Sequence, residues 1–368
     1  MSKRIKVLIT TSNFKTAGSG KVIFDLVKGL DKTKYEVAIA CKHNKGDYFK
    51  TIESLDVPIH IFDTKTNYRP YTSLFSRIRK ISKFFKTHEV DIVHSWQWSN
   101  DWTEALAAKW AGAKWIYTKK AMGFESKHWQ IKSYLADFII TINDEMRANF
   151  PKKKNQQLIP LGIDTNFYSP EHFEHTEPSK HFEIITVANL VAVKGIEILI
   201  KAIHLLADEQ LHLTIVGDKD NPYGRAMEAL TIELGLEQTV KFMGKQPDVR
   251  AFIAKSDLYV IPTLDEGRKE GMPMALVEAM SMGIPVLGSN ISGIKFVLKA
   301  FPDLLFEAAH VEGLSKSIAK IKALKPEAQK EIGQNLRQYC ERNFTLKQFV
   351  GAHESLYAHL LNGDVGND

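Results

Sequence analysis

The sequence predicts an α/β protein built from two successive doubly wound domains. Its 368 residues suffice for two domains of ordinary size. Short apolar runs alternate with amphipathic segments along the chain, which is the pattern of parallel strands joined by crossover helices. The alternation breaks once, at residues 160–170 (PLGIDTNFYSP), where two prolines, a glycine and turn formers indicate a link between the domains.

The first half of the chain carries six apolar runs that predict buried strands. Helical stretches lie between most of them, and the first, residues 21–30, has apolar residues at Val22, Leu26 and Leu30. Strand, helix, strand in this order predicts a parallel sheet with right-handed crossovers. The predicted strands cover residues 6–11, 36–41, 59–62, 91–94, 114–118 and 137–142.

The second half repeats the pattern and predicts a second sheet. The predicted strands cover residues 183–188, 212–216, 240–243, 258–261 and 285–288, and the predicted helices cover residues 194–206, 225–234, 249–255 and 274–282. Residues 345–361 predict one final amphipathic helix. We therefore expect a first domain at 1–165, a second at 166–344, and a C-terminal helix within 345–368 that returns to the first domain.

Composition narrows the class of protein. Hydrophobic residues make up 44% and charged residues 25% of the chain, which is typical of a core-forming globular protein. The two cysteines, Cys41 and Cys340, exclude a disulfide scaffold and a four-cysteine zinc site, and fit a reducing cytoplasm. No apolar run approaches the roughly 18 residues of a membrane span, and no secretory signal is evident. We expect a cytoplasmic protein.

Charge is distributed unevenly. Residues 1–170 have 28 Lys+Arg and 16 Asp+Glu, a net charge of +12, whereas residues 171–368 have 21 and 27, a net charge of −6. A basic first half indicates an anionic partner, either a phosphorylated molecule or acidic lipid; chance combined with solubility is the alternative. Residues 77–86 (RIRKISKFFK) predict a basic amphipathic helix that docks on acidic lipid or, alternatively, packs on the sheet with its polar face solvated.

The strongest chemical signal is the segment 258–288. A strand ends near Pro262, a charged glycine-rich loop follows, and a helix begins near Pro273, because proline suits a first helical turn. The free N–H groups of Met274 and Ala275 would form an anion site for a diphosphate. Glu278, two turns into the helix, could accept hydrogen bonds from a ribose diol. An ordinary acidic surface helix is the alternative.

The same residues resemble a known family. The spacing from Glu270 to Glu278, followed by AMSMGIPVLGSNISGI, resembles the donor signature of retaining GT-B glycosyltransferases, specifically glycosyltransferase family 4, the "group 1" transferases. The resemblance extends over nearly the whole chain, through DIVHSWQW at 91–98, TVANLVAVKG at 186–195, LTIVGDKD at 213–220 and VKFMGKQPDV at 240–249. It implies a GT-B fold, two Rossmann-like doubly wound domains facing a central cleft.

The resemblance implies donor-site roles for several residues. Glu278 would hold the ribose, Glu270 would lie against the donor sugar, and Lys194 would balance the diphosphate charge in a metal-independent reaction. The family often has arginine at the position of Asn189, so here charge balance rests on Lys194, or on Arg268 or Lys269. Backbone lining the sugar and phosphate would come from Gly271, Met272, Pro273, Met274 and Ala275.

In the first domain, the resemblance places the loop of Gly18 and Gly20 (TAGSGK) against the donor phosphates. This loop is not a P-loop, because that motif needs Ser or Thr after Gly-Lys and Val22 stands there. Lys120 falls where many members have a histidine near the reacting sugar; it is a candidate catalytic residue that would stabilise the leaving phosphate or contact an anionic acceptor, and the alternative is a surface lysine. His94 matches the first of two histidines in the family's stretch, and Trp96 replaces the second; both are predicted acceptor contacts, with core packing as the alternative.

We therefore expect a hexosyltransferase-type enzyme that moves a sugar from a UDP- or GDP-sugar to a glycan or lipid-linked acceptor in bacterial polysaccharide or lipopolysaccharide synthesis, in peripheral contact with the inner face of the membrane. No metal, cofactor or nucleic acid is expected; Asp218 and Asp220 form a DxD triplet, but the family binds no metal there. A nucleotide-sugar epimerase of the same architecture, or a non-enzymatic sugar- or nucleic-acid-binding protein, is the alternative.

Overall fold

The chain forms two compact units, each with its own parallel sheet. The computed structural model describes residues 3–15, 17–46, 48–123, 126–173, 180–267 and 270–362. Unit 1 comprises Met1–Gly162 together with Leu346–Asp368, and unit 2 comprises Ile163–Thr345. The predicted boundaries at 165 and 344 lie close to these divisions.

Unit 1 contains a seven-stranded sheet in which every neighbouring pair is parallel. The strand order is β3-β2-β1-β4-β5-β6-β7, which is doubly wound because the order reverses direction between β1 and β4. The strands are β1 (Ile5–Thr11), β2 (Tyr35–Cys41), β3 (Ile59–Ile61), β4 (Ile92–Ser95), β5 (Lys114–Lys119), β6 (Phe138–Thr141) and β7 (Gln156–Leu158).

The helices of unit 1 connect these strands. They are α1 (Ala17–Gly29), α2 (Phe49–Glu53), α3 (Leu74–Thr87), α4 (Thr103–Ala111), α5 (Lys127–Leu135) and α6 (Asp144–Arg147). Helix α1 begins four residues before the predicted start at residue 21. Gly18 and Gly20 therefore lie in the first turn of a helix and not in the predicted loop.

Unit 2 contains a six-stranded, all-parallel sheet of order β10-β9-β8-β11-β12-β13, reversing between β8 and β11. Its strands are β8 (Phe182–Val187), β9 (Leu211–Val216), β10 (Val240–Gly244), β11 (Leu258–Ile261), β12 (Val286–Ser289) and β13 (Leu305–Phe306). Its helices are α7 (Ile196–Leu206), α8 (Pro222–Glu233), α9 (Arg250–Ala254), α10 (Met274–Ser281), α11 (Ser292–Val297), α12 (Val311–Lys322) and α13 (Pro326–Asn343). The predicted α/β fold class is confirmed.

The last helix, α14 (Leu346–Asn362), belongs to unit 1. It packs on α1, where a Cβ at Gly29 would lie 2.6 Å from a methyl group of Val350. The side chain of Glu354 accepts a hydrogen bond from the Asp31 amide at 2.8 Å. The backbone carbonyl of Glu354 accepts one from the Tyr35 hydroxyl at 2.9 Å. This helix is thus part of the core of unit 1.

Helix α3 packs on the sheet through its apolar face. Leu74, Ile78, Ile81 and Phe85 are buried, and Phe84 stacks on Phe62 with ring centroids 4.2 Å apart. The apolar face therefore packs in the protein core and is not available to lipid. The prediction that this amphipathic helix docks on lipid through its apolar face is wrong. The basic face of the helix remains exposed.

Candidate active site

The candidate donor site lies where the strand order of the second sheet reverses. Strands β8 and β11 are neighbours there, and their connections leave in opposite directions. Ligands of open parallel sheets bind beyond the carboxyl ends of the strands at such a point. The loops after β8 and β11 carry Lys194 and Glu270, which the sequence singles out.

Lys194 and Glu270 form an ion pair across these two loops. The Lys194 Nζ donates to Glu270 Oε1, and about four-fifths of each side chain is buried, since 20% and 21% remain exposed. Lys194 ends a short 3₁₀ turn, Ala192–Lys194, directly before α7. The structure thus brings together the two residues predicted to bear on the donor phosphate and the donor sugar.

Gly195 sets the position of Lys194. Its φ of +62° is in the left-handed region that favours glycine, and a Cβ there would lie 2.2 Å from the Pro262 carbonyl oxygen. One hydrogen bond also joins the loops, from the Leu264 amide to the Val193 carbonyl at 2.8 Å. The backbone of one loop therefore rests directly on the other.

The backbone at Glu270 is held by Gly293, a residue that the sequence reasoning did not single out. A Cβ on Gly293 would lie 2.5 Å from the Glu270 carbonyl oxygen and 2.7 Å from that of Gly271. Gly293 is in the first turn of α11, and glycine has a low helix propensity. A glycine at this position of a predicted helix is the sequence signal that could have identified the contact.

Helix α10 begins just after this contact. Pro273 is its N-cap residue, and Gly271, Met272 and Pro273 are buried, while Met274 and Ala275 are partly exposed. The first amides of a helix have no intrahelical acceptor and carry the positive end of the helix dipole. The start of α10 is thus electrostatically suited to an anion. Arg268 and Lys269, the other candidate cations, lie outside the described residues.

Glu278 is partly exposed on α10 and hydrogen-bonds to Tyr168. Tyr168 is 6% exposed, and burial raises the pKa of its hydroxyl, with further contributions from the charge of Glu278 and the hydrogen bond to it. The Tyr168 carbonyl accepts hydrogen bonds from Ser281 Oγ at 2.7 Å and Arg337 at 3.2 Å. Tyr168 was missed because its partner is distant in sequence.

The loops after β8 and β9 carry the remaining residues that the sequence suggested for the donor side or for a metal. Asn189 is exposed in the loop after β8, and a Cβ on Gly217 would lie 2.0 Å from the Ala188 carbonyl oxygen. Asp218 Oδ1 accepts a hydrogen bond from the Asp220 amide at 3.1 Å, in the turn before α8. Within the described part of the chain, no group of three or more His, Cys, Asp or Glu side chains could hold a metal ion.

In unit 1 the structure brings Lys120 to the start of α1. The Lys120 Nζ donates to Ser19 Oγ at 3.1 Å, between the predicted Gly18 and Gly20. Gly18 is exposed with open space around its Cα, whereas a Cβ on Gly20 would lie 2.6 Å from the ring of Tyr48. The absence of a side chain at Gly20 is therefore explained by packing.

His94 and Trp96 are not placed to bind an acceptor. They are 0% and 1% exposed, and the ring of His94 hydrogen-bonds to the Tyr357 hydroxyl at 2.7 Å and to Thr118 Oγ1 at 2.8 Å. Burial holds the pKa of His94 well below its usual value, so the ring is neutral at pH 7. The predicted acceptor role is wrong for both residues, and core packing is what the structure shows.

Two family models match the chain in succession. The model described as "Glycosyltransferase Family 4" matches residues 16–167, and the model described as "Glycosyl transferases group 1" matches residues 168–339. The first covers most of unit 1 and the second most of unit 2. Together they account for nearly all of both sheets.

Individual relatives agree with these models. The putative colanic acid biosynthesis glycosyltransferase WcaL of Escherichia coli K12 is 28% identical over 50% of this chain and 47% of its own length, so the chain's match spans about half of that relative. The capsular polysaccharide biosynthesis glycosyltransferase CapH of Staphylococcus aureus is 23% identical over 82% of this chain and 86% of its own.

Solved structures show the same fold. A glycosyltransferase from Rickettsia africae superimposes with a TM-score of 0.86 at 17% identity, covering 98% of this chain and all of that one. Anabaena HepE in complex with UDP gives a TM-score of 0.80 at 19% identity, covering 96% of this chain and all of that one. With both family models matched in order and two doubly wound sheets of the GT-B type, the chain belongs to the family 4, or group 1, glycosyltransferases.

Proposed function

We propose that this protein transfers a sugar from a UDP- or GDP-sugar to a glycan or lipid-linked acceptor in the synthesis of a bacterial envelope polysaccharide, with retention of anomeric configuration. The names of WcaL and CapH support the polysaccharide setting, and HepE in complex with UDP supports a nucleotide donor. The observation that carries the proposal is the juxtaposition of the Lys194–Glu270 pair with the start of α10 at the sheet's reversal point.

In this proposal the diphosphate of the donor binds at the start of α10. The amides of Met274 and Ala275 and the ammonium of Lys194 supply positive potential, so the leaving nucleotide is stabilised without a metal ion. Lys194 then exchanges part of its contact with Glu270 for phosphate oxygens. Glu270 becomes free to bind hydroxyl groups of the donor sugar, close to the bond that breaks.

The nucleoside end of the donor is assigned to Glu278. Its carboxylate accepts hydrogen bonds from both ribose hydroxyls, a role that suits an acceptor-only group on a helix. The buried backbone of Gly271, Met272 and Pro273 lines the diphospho-sugar, and the exposed Asn189 amide reaches the phosphates from the loop after β8.

Unit 1 is assigned to the acceptor. Lys120, at the start of α1, contributes positive charge for the leaving phosphate or an anionic acceptor. The proposal also includes a cytoplasmic location with peripheral contact to an anionic membrane through the exposed basic face of α3. No helix in the described part of the chain is long and apolar enough to cross a membrane.

Binding and turnover of labelled donors test the donor site. We expect one nucleotide-sugar to raise the melting temperature of the wild type. Glu278→Gln and Lys194→Met should each weaken its binding at least tenfold, because each removes a charged contact worth about 1.5–3 kcal/mol. Glu270→Gln should lower kcat about a hundredfold or more with a smaller change in affinity. Transfer should persist in EDTA, and the anomeric coupling constant of the product should match that of the donor.

The exposed Glu233 and Lys255 of the same unit provide matched controls. Glu233→Gln and Lys255→Met make the same changes of charge away from the site and should leave donor affinity within twofold of the wild type. If Glu278→Gln and Lys194→Met bound the donor as tightly as these controls do, the assignment of the donor site would be wrong.

A further inference from the structure

Unit 1 contains a pocket to which the proposed function assigns no ligand. Its volume is about 400 Å³, and it opens at the carboxyl ends of β4 and β5, the edge of the sheet where ligands of such folds bind. The lining includes Trp98, Asn100, Lys119, Gly123, Ser126 and Trp129.

One buried lysine lines this pocket, and a second lies beside it against the same tryptophan. Lys119, the last residue of β5, is 2% exposed and lines the pocket; its Nζ donates to the Gly123 carbonyl at 2.5 Å and lies 4.3 Å from the ring centroid of Trp129. Lys132 on α5 is 1% exposed, donates to the Ser99 carbonyl at 2.8 Å and lies 5.0 Å from the same ring centroid.

Neither ammonium forms a salt bridge with a carboxylate among the residues the structure describes, although the charges of Glu104 and Asp101 favour the protonated form of Lys132. Each donates to one backbone carbonyl, although an ammonium has three N–H donors. Burial lowers the pKa of both lysines to about 8, so most of each remains protonated at neutral pH. Burying such charges costs stability unless they are paired, and an anion entering the pocket would pair with the ammonium of Lys119, which lines it.

The rest of the lining suits a sugar ring. Trp98 is 51% exposed, and an accessible indole beside the pocket offers an apolar face to the C–H groups of a sugar ring. Asn100 Nδ2 donates to Ser126 Oγ at 2.9 Å, and the remaining donors and acceptors of this amide and hydroxyl can bind sugar hydroxyls. Aromatic surface, polar groups and a buried cation occur together, which matches a charged sugar better than an isolated anion.

We propose that this pocket is the acceptor subsite and that it selects an acceptor sugar carrying an anionic group, a carboxylate or a phosphate, which pairs with Lys119 while the ring rests on Trp98. The identification of the ligand as an acceptor rests on the proposed transferase function; the preference for an anionic sugar does not. Lys132 is a positioning residue that keeps positive potential behind Lys119.

Calorimetric titration of the full chain, without donor, tests the pocket. The probes are glucuronic acid, glucose 6-phosphate and uncharged glucose. We expect at least one anionic sugar to bind ten times more tightly than glucose, and the stronger of the two identifies carboxylate or phosphate as the preferred group. Lys119→Met keeps the length of the side chain but removes its charge. The affinity of this variant for the anionic probe should fall to its affinity for glucose.

Matched variants separate the pocket from general charge and from the donor site. Lys127→Met makes the same charge change at an exposed lysine of α5 and should change affinity less than twofold, as should Lys194→Met in unit 2. Trp98→Ala should weaken the preferred anionic probe at least threefold, whereas Trp110→Ala, at a partly exposed indole on α4, should not. The comparison of Trp98→Ala with Trp110→Ala tests the proposal even if Lys119→Met fails to fold.

The results have distinct readings. Equal affinity for glucose and both anionic sugars, or wild-type binding by a folded Lys119→Met or Trp98→Ala variant, would overturn the proposal. Nucleotide-sugar binding measured on the same preparations reports the donor site separately. Anionic-sugar binding without donor binding would contradict the transferase function but support the selectivity of the pocket. Donor binding without anionic-sugar binding would support the transferase function but contradict the selectivity of the pocket.

Discussion

The carboxylate of Glu278 hydrogen-bonds to Tyr168. Tyr168 is buried and hydrogen-bonds to Glu278, while its own backbone carbonyl is tied to Ser281 and Arg337. A carboxylate has lone pairs for several donors, so a hydrogen bond from a fixed phenol is compatible with further hydrogen bonds from ribose hydroxyls. We infer that Tyr168 holds Glu278 in the orientation that binds the nucleoside.

Tyr168→Phe removes only this hydroxyl. We expect KM for the donor to rise about three- to tenfold with kcat changed less than twofold, because a hydrogen bond to a charged group contributes about 1.5–3 kcal/mol and part of that energy is lost from ground-state binding. Tyr259→Phe is the matched control, since that buried hydroxyl donates to the Val187 backbone carbonyl at 3.3 Å. An unchanged KM in a folded Tyr168→Phe enzyme would remove Tyr168 from the site.

Helix α14 is stabilised within unit 1 by a buried polar contact as well as by apolar packing. The Tyr357 hydroxyl meets Nδ1 of His94 at 2.7 Å, and both side chains are fully buried. The other ring nitrogen of His94 is occupied by Thr118. The helix and the sheet therefore share a hydrogen-bond chain that water does not reach.

Tyr357→Phe tests this contact. We expect it to lower the free energy of unfolding of unit 1 by about 1–3 kcal/mol, because it leaves a buried nitrogen of His94 without its partner. Urea denaturation followed by tryptophan fluorescence measures the change. The same substitution at Tyr134, whose side chain is 83% exposed, should stay within about 0.5 kcal/mol of the wild type. Equal stability of the two variants would contradict the assigned role.

At the scale of the whole molecule, the basic charge of the first half of the chain suggests contact with an anionic membrane. The basic residues of α3 that remain exposed include Arg79, Lys83 and Lys86, and Tyr71 and Phe75 near its start are 65% and 64% exposed. A basic surface with nearby exposed aromatic rings is suited to an anionic lipid headgroup layer. The buried face of α3 takes no part in such contact.

Sedimentation with vesicles containing phosphatidylglycerol measures this interaction. We expect binding that falls as salt is raised, and at least a tenfold loss in the double variant Lys83→Glu/Lys86→Glu, since each basic residue near such a surface contributes about 1 kcal/mol. Lys316→Glu/Lys320→Glu makes the same charge change on exposed residues of α12 in unit 2 and should bind nearly as the wild type does. Equal loss in both variants would show that only net charge matters.

Local pattern was enough for most of the architecture. Apolar runs predicted eleven of the strands, but β7 and β13 were missed, because β7 reads QQL and β13 has two residues, so neither forms an apolar run. The glycines of TAGSGK read as a loop, whereas helix α1 already includes them, because packing against Tyr48 favours glycine at position 20 over the side chain of a better helix former.

The sequence by itself predicted the fold class and the family, which are confirmed, and singled out the segment 270–278 as a candidate donor site, because hydrophobic period and motif spacing are local properties of the chain. Tertiary structure alone decided that Tyr168 hydrogen-bonds to Glu278, that His94 and Trp96 are core residues, and that Lys119 and Lys132 both lie against Trp129. Those outcomes depend on contacts between residues far apart in sequence, and a side chain's burial and electrostatic environment exist only once the sheet and its helices have assembled.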